Sequence, residues 1–180
     1  LASDDRTAHD NHTADEATRL VEQQVLAAVT ATGEPFDVID VDPSLADTAE
    51  FCAHYGYPLH TSGNCILVAS RDNEPVMAAC LALATTKLDV NKRVRKLLGV
   101  RKLSFAPADL TKRVTGMEIG GVTPFGLPAE LPIWVDARIA DLDRVIVGGG
   151  SRSIKLSVPP SALSAIGAEF IDDLAVDLGS

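Results

Sequence analysis

The residues of this chain whose types and spacing best suit chemistry fall in one short run, residues 114–127, VTGMEIGGVTPFGL. Gly120, Gly121, Pro124 and Gly126 sit where an ordinary turn needs only one or two such residues, so the backbone there is shaped for close approach to something. Pro124 fixes its own φ and biases Thr123 toward extended geometry, which makes the loop stiff. A stiff loop presents N–H donors suited to a carbonyl or a ribose hydroxyl. The same residues also fit a tight connection between a helix and a strand, and spacing alone does not choose between the two.

Other chemical patterns are weaker or missing. The triple glycine at 148–150 has no following G-K-[ST] and opens no helix, so it reads as a hairpin turn, not a phosphate loop. There is no G-x-S-x-G nucleophile elbow and no dinucleotide fingerprint. Cys52, Cys65 and Cys80 are odd in number, lie in apolar surroundings and lack C-x-x-C spacing, which predicts buried free thiols. Cys65 has no nearby His or Lys in sequence to activate it as a nucleophile. His9, His12, His54 and His60 complete no metal-ligand set, and the first two fall in a segment read as a mobile tail.

The elements that must position the loop can be read in order. Residues 1–13 are charged and aperiodic and read as disordered. Over 14–30, Ala17, Leu20, Val21, Val25 and Ala28 recur at helical spacing, predicting an amphipathic helix that ends near Gly33. Residues 36–41 alternate as a strand, and Ser44 with Asp47 resembles a capping box for a helix to about His54, stopped by Gly56. Residues 64–70 and 75–84 are nearly continuous apolar runs joined by a turn, so both are central strands buried on two faces. Asp89 caps a helix over 90–98, residues 102–105 form a short strand, and Pro107 opens a helix that Gly116 ends. Strands follow at 133–136, 144–148 and 154–158, then a helix over 160–166 and a mixed segment over 169–176. Irregular order and a clear hairpin predict one α+β domain with a mixed, partly antiparallel sheet.

At 180 residues and 46% apolar content the chain can bury a substantial core. No apolar run approaches the roughly 20 residues that span a bilayer, and the polar start has no signal-peptide core, so a cytoplasmic protein without a membrane partner is expected. A net charge of −9 argues against indiscriminate nucleic-acid binding and gives no support for DNA as a partner. Yet residues 87–113 carry nine basic side chains against Asp89 and Asp109. That asymmetry fits a phosphate-facing patch, and equally a solvated helix face balanced by acidic neighbours.

GGVTPFG, preceded by TG and followed by LPIWVD, resembles the glycine-proline signature of the YbaK-like, prolyl-tRNA-editing-associated family. The likeness extends through LDVNKRVRKLLG before it and VIVGGGSRSIKLSV after it, covering roughly residues 34–176. It implies a compact, barrel-like α+β editing domain over 34–180, with residues 1–33 as an added tail and helix. It also implies hydrolysis of the ester that joins a wrong amino acid to a tRNA 3′ end, with no metal or cofactor. The implied partners are the acceptor end of a mischarged tRNA and an aminoacyl-tRNA synthetase.

By the same resemblance Gly120, Gly121, Thr123, Pro124, Phe125 and Gly126 would contact the aminoacyl ester, with Gly149 and Gly150 at the neighbouring edge. Asp136, after the strand LPIWV, recurs in the family pattern and also suits a cap for the next turn. Lys92, Arg95 and Lys96 would meet tRNA phosphates. The chain departs from the pattern where family members carry a lysine at the head of the first central strand: Asn64 stands there instead. Lys155, within SIKLSV, stands where some members have an acid. Two readings follow for this pair. Either positive charge has moved across the pocket, making Asn64, Gly121 and Lys155 the catalytic set, or Lys155 is a surface strand residue. Separately, Asn64 supports an alternative in which the chain is a non-catalytic relative that keeps the pocket to bind a tRNA end or a small aminoacyl-type ligand.

Overall fold

The computed structural model describes residues 4–178, with side chains from residue 14 onward. The first helix, α1, spans Asp4–Thr30 and begins well before the expected start at residue 14. No proline or glycine interrupts that stretch, so local propensity carries the helix through residues whose pattern alone suggested disorder. Residues 1–3 lie outside the described part.

Ten strands and four further helices follow: β1 Asp37–Asp40, α2 Thr48–Tyr55, β2 Gly63–Ser70, β3 Met77–Leu83, β4 Thr86–Leu88, α3 Arg95–Leu98, β5 Leu103–Phe105, α4 Ala108–Thr115, β6 Ile133–Asp136, β7 Val145–Gly148, β8 Ile154–Val158, α5 Pro160–Ala165, β9 Glu169–Ile171 and β10 Ala175–Asp177. They assemble into a five-stranded sheet ordered β5-β2-β3-β6-β9, a three-stranded sheet β1-β8-β7 and a β4-β10 pair. β2 and β3 are antiparallel, whereas β3-β6 and β6-β9 are parallel. The sheet is therefore mixed, as expected. It does not close into a barrel: among the described residues the two larger sheets are joined in backbone pairing by a single bridge between Ser62 and Ile146, and otherwise pack through the main core.

The apolar runs of β2 and β3 are buried on both faces. One face joins a cluster with Val25, Phe125, Val135 and Leu156, the other a cluster with Val90, Val94 and Trp134. α1 supplies Val25 and Val29, both fully buried, to the first cluster. The second is covered by a π-helical turn, Val90–Val94, that runs into α3. Asp89 caps that turn by accepting from the Lys92 N–H at 3.2 Å.

One cap differs from expectation. Ser44 lies in a 3-10 turn capped by Asp42, and α2 starts later, with Asp47 at its N-cap. Asp47 makes no capping hydrogen bond, because its carboxylate is drawn 3.0 Å from an Arg152 Nη1.

The glycine-proline loop is packed backbone to backbone against the second glycine loop. A Cβ on Gly121 would lie 2.1 Å from the Ser151 carbonyl oxygen, and one on Gly148 would lie 2.4 Å from the carbonyl oxygens of Gly121 and Val122. The Gly150 N–H donates to the Gly121 carbonyl at 2.7 Å, and the Glu118 N–H donates to that of Gly150 at 3.1 Å. The close approach foreseen from the glycines is thus first of all an approach of two loops. Gly121→Ala should cost about 3 kcal/mol or more, since backbone must move to admit the methyl group. Gly33→Ala, with φ +74° but open space around it, should cost only about 1 kcal/mol. Urea unfolding of the two variants checks the contrast.

Candidate active site

A cavity of about 320 Å³ opens where β2 parts from the β7-β8 hairpin. It is lined by Asp47 and Thr48 at the start of α2, by Gly63–Leu67 of β2, by Thr111 of α4, by Gly120 and Val122, and by Gly148 and Lys155. Strand geometry explains why β2 offers an edge there. The Ser62 carbonyl and the Ser70 N–H both bond toward the β3 side, so even-numbered residues of β2 face β3. Odd-numbered residues face the other edge, where pairing with β5 begins only at Val68 and the Leu67 carbonyl accepts from Ala106. Between the Ser62 bridge and Leu67, the Cys65 N–H and C=O are turned to the cavity.

Lys155 is the decisive side chain. Strand alternation puts it on the face of β8 opposite Ile154 and Leu156, but that face is not solvent: α2 covers it. Lys155 is only 6% exposed, its Nζ stands 5.1 Å from the centroid of the Phe51 ring, and Gly148 lies directly across the ladder. Phe51 is itself fixed by stacking on Tyr57 at 5.2 Å. Among the described residues the ammonium has no hydrogen-bonding or ion-pairing partner; its contact is the ring. Burial lowers its pKa from the ordinary 10.5, with Arg152 adding to the shift and Cys52 and Asp47 opposing it.

Asn64 faces the same cavity. Thr48 donates its hydroxyl to Asn64 Oδ1 at 2.6 Å, which occupies the acceptor and leaves the amide NH₂ as the free end. Cys65 is buried and its thiol is pushed far up by desolvation, so it is an inert wall residue. Cys80, on the neighbouring strand, is pushed up to about 12 in the same way.

The structure brings together Asn64, Gly120 and Lys155. Gly121 stands just behind, with its N–H spent on the Glu118 carbonyl at 2.9 Å. The remaining glycine-loop residues point elsewhere. Thr123 is fully buried, its hydroxyl without a hydrogen-bond partner. Phe125 is fully buried in the main core, and the Gly126 carbonyl accepts from Gln24 of α1 at 3.1 Å. Pro124 and Gly126 border a separate groove beside Ala28. Gly149 sits over Ile154, and Gly150, at φ +96°, lies under Val21 and Val25 of α1. Asp136 is 2% exposed and away from the cavity, where it caps the following turn and pairs with Arg138 at 2.7 Å. Its role here is the cap.

Lys92, Arg95 and Lys96 lie on the covering turn and α3 and do not line the cavity. The Arg95 guanidinium folds back on its own segment, donating to the Asn91 carbonyl at 2.7 Å.

Sequence reasoning missed Arg152, Thr48 and Asp47. Arg152 spans the rim, donating to the Pro43 carbonyl at 2.9 Å and pairing with Asp47. Only its place after the glycine run hinted at this. Thr48 and Asn64 are sixteen residues apart with no periodicity to join them. Among the described residues no group of three or more His, Cys, Asp or Glu is placed to hold a metal, and no helix is long and apolar enough to cross a membrane.

Comparison with known proteins decides the family. The profile of the aminoacyl-tRNA editing domain matches residues 42–166. The chain belongs to the aminoacyl-tRNA editing domain family. It is 26% identical over 128 residues to the uncharacterized protein YwhH of Bacillus subtilis (strain 168), covering 71% of this chain and 79% of that protein. It is 28% identical over 123 residues to a proline--tRNA ligase of Geobacter metallireducens, covering 67% of this chain and only 20% of the ligase.

Among solved structures, the fold is similar to that of a protein assigned, without confirmation, as a trans-editing enzyme for prolyl tRNA synthetase. That match has a TM-score of 0.73 and 21% identity, and covers 84% of this chain and 95% of that one. The fold is also similar to the hypothetical protein APE2540, with a TM-score of 0.75 and 23% identity, covering 85% and 99%. α1 lies wholly outside the matched residues of the editing domain.

A lysine buried beside a ring without a counter-ion is a cost in stability that the fold bears. Lys155→Met should therefore raise the urea midpoint at pH 7. The native pKa of Lys155 lies below its unfolded value, so the unfolded chain holds more protons as pH rises through that window, and native stability increases. The gap between parent and Lys155→Met should narrow toward pH 10, which paired urea titrations at the two pH values measure.

Proposed function

We propose that this chain is an aminoacyl-tRNA deacylase that acts in trans, hydrolysing the ester of a mischarged tRNA. The observation that carries the reading is the convergence of a buried, unpaired Lys155 and an oriented Asn64 on one cavity bounded by the paired glycine loops. Membership of the editing-domain family supports it.

An aminoacyl ester already has an activated carbonyl, so positioning, a donor for the developing oxyanion and access for water suffice. Lys155 and the Asn64 amide are donors aimed into the cavity, and the free Cys65 N–H offers a third on the β2 edge. Gly120 and Gly148 line the opposite wall. Among the described residues no carboxylate or imidazole lines the cavity apart from Asp47 at the lip, and the 2′-hydroxyl of the terminal ribose would serve as general base in its place. The balance is simple: water adds to the carbonyl carbon, the bond to the ribose oxygen breaks, and that oxygen takes a proton. The partners are the acceptor end of a mischarged tRNA and, in the cell, a synthetase such as the prolyl enzyme.

A second reading is favoured by one observation, the Asn64 that stands in place of the family lysine. In it the chain binds a tRNA end or a small aminoacyl-type ligand without cleaving it. Deacylation of a panel of mischarged tRNAs separates the two. The enzyme should cleave at least one ester, and Lys155→Ala should lower kcat about 100-fold with a smaller change in KM, the scale of losing one oxyanion donor. Cleavage at parental rate by Lys155→Ala would remove Lys155 from the mechanism, and binding without cleavage would establish the second reading.

A further inference from the structure

The inner end of the cavity is rich in hydrogen-bond donors. Lys155 is more than nine-tenths buried, and its ammonium has no hydrogen-bonding partner among the described residues. Thr48 donates to Asn64 Oδ1 and so orients the amide, whose NH₂ has no hydrogen-bonding partner among the described residues. α2 starts at the same wall, and its N-cap residue Asp47 gives no capping bond, which leaves the first-turn N–H groups without a side-chain acceptor. Asp47 itself is turned away to Arg152 at the rim. A lone ester carbonyl oxygen, with two lone pairs, would satisfy only part of this set. A carboxylate, with two charged oxygens and about four lone-pair sites, matches it far better.

From this juxtaposition we propose that the Lys155, Asn64 and α2 N-terminal wall forms a carboxylate-binding subsite, which takes the α-carboxylate of a free amino acid. The helix terminus contributes oriented N–H groups and a partial positive charge, and the buried ammonium supplies the full charge. Phe51 holds that charge in place while leaving its hydrogen-bonding directions open. The subsite deepens the deacylase reading and rests on the same cavity. Hydrolysis turns the neutral ester carbonyl into a carboxylate that would lie against Lys155, so the released amino acid competes with the next substrate and its concentration throttles turnover. In the binding reading, the same subsite makes the chain a receptor for small amino-acid-like carboxylates.

The test compares charged and neutral isosteres on the intact protein by amide NMR titration at fixed salt. Acetate and L-alanine should shift the amides of Thr48, Asn64 and Cys65, whereas acetamide and L-alaninamide should bind at least about tenfold more weakly. Lys155→Met should abolish the preference and Lys155→Arg should keep part of it. Equal binding of acid and amide, no shift by any acid at concentrations where specific weak binding is seen, or full acid preference in Lys155→Met would each overturn the proposal. The acid-amide comparison needs no variant, so a misfolded mutant does not blunt it. Its failure is also separate from failure of the deacylase reading. A protein that prefers acetate yet cleaves no ester keeps the subsite and loses the enzyme, and one that cleaves esters without that preference does the reverse.

Discussion

The site depends on one constraint, the contact of two peptide backbones with no side chain between them. Residues 120–122 lie against 148–151 so closely that a Cβ at Gly121 would meet the Ser151 carbonyl at 2.1 Å. The Gly150 N–H to Gly121 carbonyl bond at 2.7 Å ties the two loops. Backbone packed in this way is stiff, because the Gly150 N–H is bonded to the Gly121 carbonyl and the Glu118 N–H to the Gly150 carbonyl, and neither loop can rotate without losing such a bond. That stiffness is what lets a cavity persist in front of the loops instead of collapsing onto them.

The loops also set where charge can stand. β8 leaves the second loop and carries Lys155 opposite Gly148, and the missing side chain at Gly148 lets the backbone of Gly121 and Val122 pack against it. Leaving a lysine there without a counter-ion costs stability, and the ring of Phe51 offsets only part of it, on the order of 2 kcal/mol for a desolvated pair. A well-packed core does not retain such a residue by default; methionine would fill the same volume more cheaply. The placement therefore points to use, in the same sense that a buried cation beside a cavity is more informative than one in a surface ion pair.

Much of the fold was legible in the sequence, for identifiable reasons. The apolar runs of β2 and β3 announced two-sided burial, and Gly56 and Gly116 marked helix ends that the structure places in the left-handed region. The loops were legible as special, but not what they approach, because backbone-to-backbone contact leaves no apolar pattern. Phe125 looked like a site residue for being inside the motif, yet its side chain is fully buried in the main core. Lys155 was ambiguous because alternation gives a strand two faces and says nothing of whether a helix covers the second. Thr48 and Asn64 meet only through tertiary structure. The capping box failed at Ser44 because Asp42 takes the Ser44 N–H into a 3-10 turn and delays α2 to Thr48.

α1 shows how the wall acquires its backing. Loops made of glycine bury little apolar surface of their own, so something else must cover them. Val21 and Val25 come within 3.0 Å of where a Gly150 Cβ would stand, Gln24 donates to the Gly126 carbonyl at 3.1 Å, and the Ser151 hydroxyl donates to the Glu22 carboxylate. One helix thus touches both glycine loops from the side away from the cavity and joins them to the main core through Val25 and Val29. The residues matched by the editing-domain profile begin at 42 and contain every cavity-lining side chain, but not this support. The chemistry of the site belongs to the matched domain, whereas the rigidity of its glycine wall is drawn in part from a helix outside it. In this chain the two cannot be separated without exposing the back of both loops to water.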